Sequence, residues 1–216
     1  KTNNVKIDET IFISINSRWK FTQHTVNLLN NRLINFHSAR LPFHKGGAGY
    51  SWQVLRHDRI NNQTIHFIDS EIDTGKIVLN YKAIIPSFIK TPEELMDFDT
   101  LQLCKAYKIF IKKIKKQISF RLIDQPKYLG NYLPRINSDI NGWIDWSIKS
   151  NMVERFVNAF EKPYSGAKTF INKTQVVIRD VQLHSGELPN HPFMSGLIIR
   201  KNTKWILVSL SDEKSL

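Results

Sequence analysis

Two short polar sets carry the chemistry that this sequence offers. Asn35 and His37 stand two apart at the end of the run Leu33–His37, so in a strand their side chains leave the same face. Asp73 lies in Asp73-Thr74-Gly75, a turn between the β-prone runs Thr64–Asp69 and Lys76–Tyr81. An amide, an imidazole and a carboxylate gathered at one rim of a sheet can support acyl transfer. The amide donates to a developing oxyanion, the imidazole moves a proton, and the carboxylate orients the imidazole. On spacing alone two readings stay open, because Asn-x-His also occurs at ordinary strand ends and Asp-Thr-Gly is a frequent tight turn.

Other chemistries lack their signatures. His24, His44, His57, His66, His184 and His191 pair with neither cysteine nor carboxylates at zinc-ligand spacing, and there is no His-Glu-x-x-His. His66 alternates with apolar neighbours and reads as a satisfied core histidine. Neither the dinucleotide Gly-x-Gly-x-x-Gly, nor the phosphate-binding loop, nor Gly-x-Ser-x-Gly is present, and Cys104 sits within a helical pattern, so no covalent nucleophile stands out.

The elements that must position Asn35, His37 and Asp73 alternate between strand and helix. Thr10–Ile15 reads as a buried strand, Phe21–Leu29 as a short helix and Leu33–His37 as a second strand. Pro42, Gly46, Gly47 and Gly49 break regular structure over Leu41–Gly49, and Tyr50–Leu55 begins a helix. Thr91-Pro92-Glu93-Glu94 is a helix start with cap, first-turn proline and capping-box glutamate in agreement. The pattern predicts an α/β fold: a mostly parallel open sheet with flanking helices, whose ligands sit outside the carboxyl ends of the strands. Beyond Gln117 it changes: Met152–Phe160 is helical, and Thr174–Val181, Gly196–Arg200 and Lys204–Leu210 are strands. The expected division is a catalytic domain over residues 1–162 and a small β-rich region over 163–216, parting near Lys162-Pro163.

Composition narrows the class. The chain has 216 residues, 41% hydrophobic and 11% aromatic, which excludes a disordered tail or a low-complexity polymer. No apolar run is long enough to span a bilayer, and Lys1-Thr2-Asn3-Asn4-Val5 has no signal-peptide core. One cysteine builds neither a disulfide nor a thiolate metal site, so a cytoplasmic location is expected. With 31 Lys+Arg against 19 Asp+Glu, the net charge is +12 and the surface attracts anions. The densest cationic cluster, Lys105, Lys108, Lys112, Lys113, Lys115 and Lys116, shares a helix with Leu103, Tyr107, Phe110, Ile114 and Ile118 at three- and four-residue steps. That is a solvated helix face, or one for contact with an anionic partner. No RNA-binding or zinc-finger pattern accompanies it, and nucleic acid is not expected as a partner.

Taken together, Asn35-Phe36-His37-Ser38-Ala39-Arg40-Leu41-Pro42-Phe43-His44-Lys45-Gly46 resembles the motif Asn-x-His-x-x-x-Leu-Pro-x-x-Arg/Lys-Gly of the folate-dependent formyltransferases. Thr64-Ile65-His66-Phe67-Ile68-Asp69 and Ile72-Asp73-Thr74-Gly75-Lys76-Ile77 resemble that family's second block. At Ser38-Ala39-Arg40 the chain departs from the usual Pro/Asn-Ser-Leu/Tyr. The resemblance implies that 10-formyltetrahydrofolate donates a formyl group to an amine, without a metal, and that Asn35, His37 and Asp73 are the catalytic trio. It also implies a homodimer, and a strand-helix-strand-helix unit ahead of Thr10–Ile15, where only nine residues stand here.

The acceptor divides the family's branches. The chain continues well past Ser119 through Trp143-Ile144-Asp145-Trp146 and Pro163-Tyr164-Ser165-Gly166-Ala167, which is similar to the sugar- and tRNA-modifying branches rather than the purine branch. Lys45-Gly46-Gly47-Ala48-Gly49-Tyr50-Ser51-Trp52 is more like the sugar enzymes, which carry a Trp near this point, than the Arg-Gly-Ala-Ala-Pro of the tRNA branch. The implied acceptor is a nucleotide-linked amino sugar, such as a dTDP-amino-dideoxyhexose for surface polysaccharide. Lys45, Tyr132 and Arg135 are its candidate contacts, and Trp143 and Trp146 are either core residues or base-stacking platforms. Glycinamide ribonucleotide or methionyl-tRNA formylation, and a non-catalytic basic binding module, are the alternatives.

Overall fold

The computed structural model describes residues 6–15, 17, 19–47, 49–126, 128–184, 191–212 and 214–216, so Lys1–Val5 and Ala48 of the glycine-rich loop lie outside the described residues. In chain order the elements are β1 (Phe12–Ile15), α1 (Gln23–Leu28), β2 (Leu33–His37), β3 (His44–Gly46), α2 (Gly49–Leu55), β4 (Ile60–Phe67), β5 (Ile77–Ile84), α3 (Pro92–Lys115), β6 (Asn131–Leu133), α4 (Ser138–Asn141), α5 (Ser150–Ala159), β7 (Ala167–Ile171), β8 (Thr174–Ile178), β9 (Ile198–Lys201) and β10 (Ile206–Val208). They gather into two compact units. One holds residues up to Gly49 with Arg59–Pro86 and Asp97–Arg135, and the other holds Tyr50–Asp58, Ser87–Met96 and Ile136–Leu216.

The first unit is built on a four-stranded sheet in the order β1-β2-β4-β5. β1 and β2 are parallel, joined through α1, whose N-terminus Thr22 caps by accepting from the Thr25 amide. β2–β4 and β4–β5 are antiparallel. The parallel share is therefore smaller, among the described strands, than strand-helix alternation suggests. The link from Phe67 to Ile77 is too short for a crossover and can only fold back.

Period-two alternation gives the sheet two different faces. Ile34, Phe36, Ile65 and Val78 form one buried cluster with Phe110 of α3, with Leu103, Ile111, Ile114 and Phe120 packed against it. The rings of Phe36 and Phe110 meet edge to face at 5.7 Å. Burying each such side chain stabilises by about 1.5–3 kcal/mol, so this cluster holds β2, β4 and α3 in register. The other face carries Asn35, His37 and His66. Lys105, Lys108, Lys112, Lys115 and Lys116 of the α3 segment are exposed, as a solvated cationic face requires, and Cys104 is exposed beside them. Tyr107 and Ile118, expected to face inward, are 43% and 48% exposed: the Tyr107 ring lies at the margin of the cluster, 6.0 Å from that of Phe36, and Ile118 lies beyond the end of α3. None of the helices is long and apolar enough to cross a membrane, among the described residues.

Leu41–Gly49 is more ordered than its glycines suggest: His44–Gly46 forms β3, which pairs in parallel with β6. Gly46 makes this possible. It holds φ +97°, and a Cβ there would come within 2.7 Å of the Leu133 carbonyl oxygen.

The second unit has its own cluster of Val153, Leu210 and Leu216, backed by Ile144, Trp146, Ile148, Val181 and Leu183. Two antiparallel pairs, β7–β8 and β9–β10, supply the small C-terminal strands. The Lys162-Pro163 boundary falls inside this unit, whose cluster draws on residues from both sides of it. Trp146 belongs to that cluster and donates to Thr169 Oγ1 at 2.9 Å. Trp143 stacks on Phe170, with ring centroids 4.9 Å apart. The capping box is formed at Thr91, where Glu94 Oε2 accepts from the Thr91 amide at 2.9 Å and the Glu94 amide donates to Thr91 Oγ1 at 3.4 Å.

Candidate active site

The geometry begins at cross-strand register. Asn35 on β2 is the partner of His66 on β4, and His37 is the partner of Thr64, so these side chains leave one face together. The turn after β4 brings Asp73 back to them. Asp73 adopts the left-handed conformation at φ +56°, which aspartate tolerates better than most residues. Thr74 Oγ1 ties the turn by donating to Asp69 Oδ1 at 2.6 Å. Gly75 completes it, since a Cβ at that position would lie 1.9 Å from the Phe67 carbonyl oxygen. The Gly46 amide then donates to Asp73 Oδ2 at 3.0 Å and anchors the carboxylate.

Asn35, His37 and Asp73 are thereby gathered, with His66 as a fourth member. Asp73 Oδ2 lies 3.7 Å from His37 Nε2 and Asp73 Oδ1 lies 3.7 Å from His66 Nε2, with the His37 and Asp73 side chains 17% and 13% exposed. These distances exceed a hydrogen bond. Asp73 stands ready for a protonated His37 and is held meanwhile by the Gly46 amide.

His66 fixes the orientation of Asn35. Its Nδ1 lies 2.8 Å from the Phe67 carbonyl oxygen, so that nitrogen carries the hydrogen and Nε2 of the neutral ring is an acceptor. Burial, the largest cause, and the charge of His37 lower the His66 pKa from 6.5 to about 4, against opposing pulls from Asp73, the Phe67 carbonyl and Asp69. The ring is therefore neutral at pH 7, and Asn35 Nδ2, 3.3 Å away, donates to Nε2. One amide hydrogen of Asn35 is committed in this way, and a second remains. Asn35 Oδ1 and His37 Nε2 are buried and hydrogen-bonded to nothing among the described residues. A buried polar atom without a partner costs about 1–3 kcal/mol, and two beside a carboxylate mark a place that a polar ligand completes.

The loop leaving His37 is pinned from both sides. Thr64 Oγ1 donates to the Ala39 carbonyl at 2.7 Å, and Ser38 Oγ donates to Asp99 Oδ2 at 2.7 Å. Asp99 is 3% exposed and also receives Asn61 Nδ2 and Gln63 Nε2, each at 2.6 Å. Ser38, one of the three residues at which the chain departs from the formyltransferase motif, ties the loop to this network.

The three candidate contacts assemble beside the same loop. Lys45 of β3 is the register partner of Tyr132 of β6, and the Tyr132 ring would meet a Cβ on Gly46 at 2.8 Å. A Cβ on Gly47 would lie 3.9 Å from Arg135 Cβ. Lys45, Tyr132 and Arg135 thus stand beside Gly46 and Gly47, and the Gly46 amide holds Asp73. Among the described residues no group of three or more His, Cys, Asp or Glu side chains is arranged to hold a metal ion.

Comparison with known proteins bears on the same segments. The "Formyl transferase" family model matches residues 21–100, and the "Formyl transferase, C-terminal domain" model matches residues 138–216. The methionyl-tRNA formyltransferase of Ruminiclostridium cellulolyticum is 29% identical over 180 residues, 83% of this chain and 56% of that enzyme. The chain thus spans little more than half the length of that relative. Among solved structures, the N-formyltransferase of Helicobacter canadensis, in complex with folinic acid and dTDP-3-aminofucose, superposes with a TM-score of 0.72 over 95% of this chain and 71% of that one, at 22% identity. The formyltransferase PseJ of Anoxybacillus kamchatkensis, in complex with a UDP-linked formamido sugar and tetrahydrofolate, is 29% identical, with a TM-score of 0.51 over 61% of this chain and 66% of that one.

Proposed function

This chain belongs to the formyltransferase family, and on that footing we propose that it moves the formyl group of 10-formyltetrahydrofolate onto the amine of a nucleotide-linked amino sugar. The observation that carries the transfer reading is the pair of buried, unpartnered atoms Asn35 Oδ1 and His37 Nε2, the latter 3.7 Å from the Asp73 carboxylate. The attacking amine offers N–H donors to the open Asn35 Oδ1, and the formyl oxygen offers an acceptor to the second Asn35 Nδ2 hydrogen. The folate supplies the formyl group as an electrophilic carbonyl carbon.

Each side chain then has a task. The remaining Nδ2 hydrogen of Asn35 receives the charge developing on the formyl oxygen, and Asn35 Oδ1 accepts from the attacking amine. His37 Nε2 takes part in moving the amine proton, and Asp73 stabilises the imidazolium that results. His66, neutral and buried, keeps the Asn35 amide turned the right way.

The sugar acceptor rests on Trp52 in the segment that follows Lys45, on Lys45, Tyr132 and Arg135 themselves, and on the nucleotide sugar that PseJ binds. Lys45 and Arg135 meet the diphosphate. All of these residues precede Lys162, so we assign the chemistry to residues 1–162 and a supporting role to 163–216. A metal-free homodimer in the cytoplasm goes with this assignment. Methionyl-tRNA as acceptor is the second reading, favoured by the sequence match to the Ruminiclostridium enzyme.

One assay separates them. The protein is incubated with 10-formyltetrahydrofolate and, in turn, dTDP- and UDP-amino sugars, initiator methionyl-tRNA and glycinamide ribonucleotide, and products are read by mass. Formylation of a nucleotide sugar is expected. Formylation of tRNA alone replaces the acceptor, and no product with any acceptor removes the transfer reading.

A further inference from the structure

Strand β1 inverts the usual pattern of a half-buried strand. Ile13 and Ile15 are 39% and 48% exposed, while Ser14 between them is the strand's one buried residue, at 7%. A buried strand position ordinarily takes an apolar, often β-branched residue. Ser14 Oγ also lacks a hydrogen-bond partner among the described residues. Ser14 is the register partner of Asn35, which is itself the partner of His66. Side chains paired in this way leave the same face of the sheet. Ser14 Oγ, Asn35 Oδ1 and His37 Nε2 are thus three buried, unpartnered atoms on one face of adjoining strands.

Building on the formyl-transfer reading, we propose that Ser14 is a further catalytic residue, whose hydroxyl donates to the formyl oxygen beside the Asn35 amide. The amine nitrogen bonds to the formyl carbon, and the carbonyl π pair moves onto the oxygen. Ser14 Oγ–H and the free Asn35 Nδ2 hydrogen receive that oxygen from adjacent strands. The pair returns as the bond from the formyl carbon to the departing nitrogen breaks. The amine's proton, moved by His37 and Asp73, ends on that nitrogen. A hydroxyl suits this place because it donates when the charge develops and has no charge of its own to be desolvated beforehand.

The test compares Ser14→Ala and Ser14→Cys with the unmodified chain, using the acceptor that the wild type formylates. Loss of one oxyanion donor lowers kcat by about 100-fold, with KM for both substrates within about threefold. Ser14→Cys, similar in size but a weak donor, falls with Ser14→Ala. The melting temperature stays level or rises, because an unpartnered buried hydroxyl has been removed. A kcat within about twofold of wild type in Ser14→Ala, or full activity in Ser14→Cys, overturns the assignment. So does a clear fall in melting temperature with kcat of the folded protein preserved, which makes the hydroxyl structural. If the wild type formylates nothing, the transfer reading fails and the role of Ser14 fails with it. An active wild type with an indifferent Ser14→Ala sinks the inference about Ser14 alone.

Discussion

Strand β4 carries a polar cluster on each of its faces, and the two are built on opposite terms. Toward α3, Asp99 receives Ser38, Asn61 and Gln63, and Gln63 Nε2 also reaches Asn61 Oδ1 at 3.1 Å. Toward the other face, His66 and Asn35 satisfy each other, but Asn35 Oδ1, His37 Nε2 and Ser14 Oγ stay open. Both clusters surrender hydration on burial. In the first, internal hydrogen bonds offset that cost, so it is architecture. In the second the cost is left standing at about 1–3 kcal/mol per open atom, which a fold sustains where a ligand supplies the missing partners.

The sharpest way to break this comparison is to truncate the open cluster. His37→Ala and Asp73→Ala are each expected to cut kcat by about 1,000-fold, roughly 4 kcal/mol of barrier, with the melting temperature nearly unchanged. Retained turnover in either variant ends the assignment. The closed cluster should behave the other way round. Asp99→Ala leaves Asn61 Nδ2 and Gln63 Nε2 without their shared acceptor, while Ser38 Oγ still has Gln63 Oε1 at 3.2 Å, and is expected to cost about 2–3 kcal/mol of stability in urea unfolding. Turnover of the molecules that remain folded should hold within about tenfold, since Thr64 still pins the loop after His37.

Protonation sharpens the contrast. His66 is lowered from 6.5 to about 4 by burial, so the fold favours the neutral ring. Above about pH 6.5 both folded and unfolded chains hold it neutral. Between 6.5 and 4 only the unfolded chain takes up the proton, so stability falls as pH falls, by up to about 3 kcal/mol, and levels off below 4. Urea unfolding at a series of pH values checks this, and His66→Gln should remove that contribution from the slope. The smallest effect belongs away from both clusters. Thr91→Ala removes a cap from α3 and is expected to cost about 1 kcal/mol or less, with kcat untouched.

Much of this was legible in the sequence, and what was not has a physical cause. Leu33–His37 is found with its predicted bounds because the alternation Ile34-Asn35-Phe36-His37 is a local property. The start of α3 is found because a capping box lies within four residues. The run Asn61-Asn62-Gln63 lies ahead of the strand expected over Thr64–Asp69, yet it is buried within β4. What makes Asn61 and Gln63 tolerable there is a carboxylate 36 to 38 residues further along the chain, while Asn62 turns to the Ile60 carbonyl. His66 was read as a satisfied core histidine and is one, but its satisfied nitrogens also turn Asn35 toward its task. Ser14 gave no signal, since an isolated serine in an isoleucine-rich run gains meaning only when its register partner is known.

Residue types and spacing were enough to nominate an amide, an imidazole and a carboxylate for acyl transfer, because the period of a strand places Asn35 and His37 on one side without help. Composition was enough to predict a folded chain with a cationic surface, and strand-helix alternation to predict an α/β fold. Only the tertiary structure decided that β2 and β4 run antiparallel, that the Gly46 amide would hold Asp73, and that Lys45 would meet Tyr132. Those outcomes depend on register and on contacts across long stretches of chain, where pairing energy is shared among many residues and no local pattern records the partner.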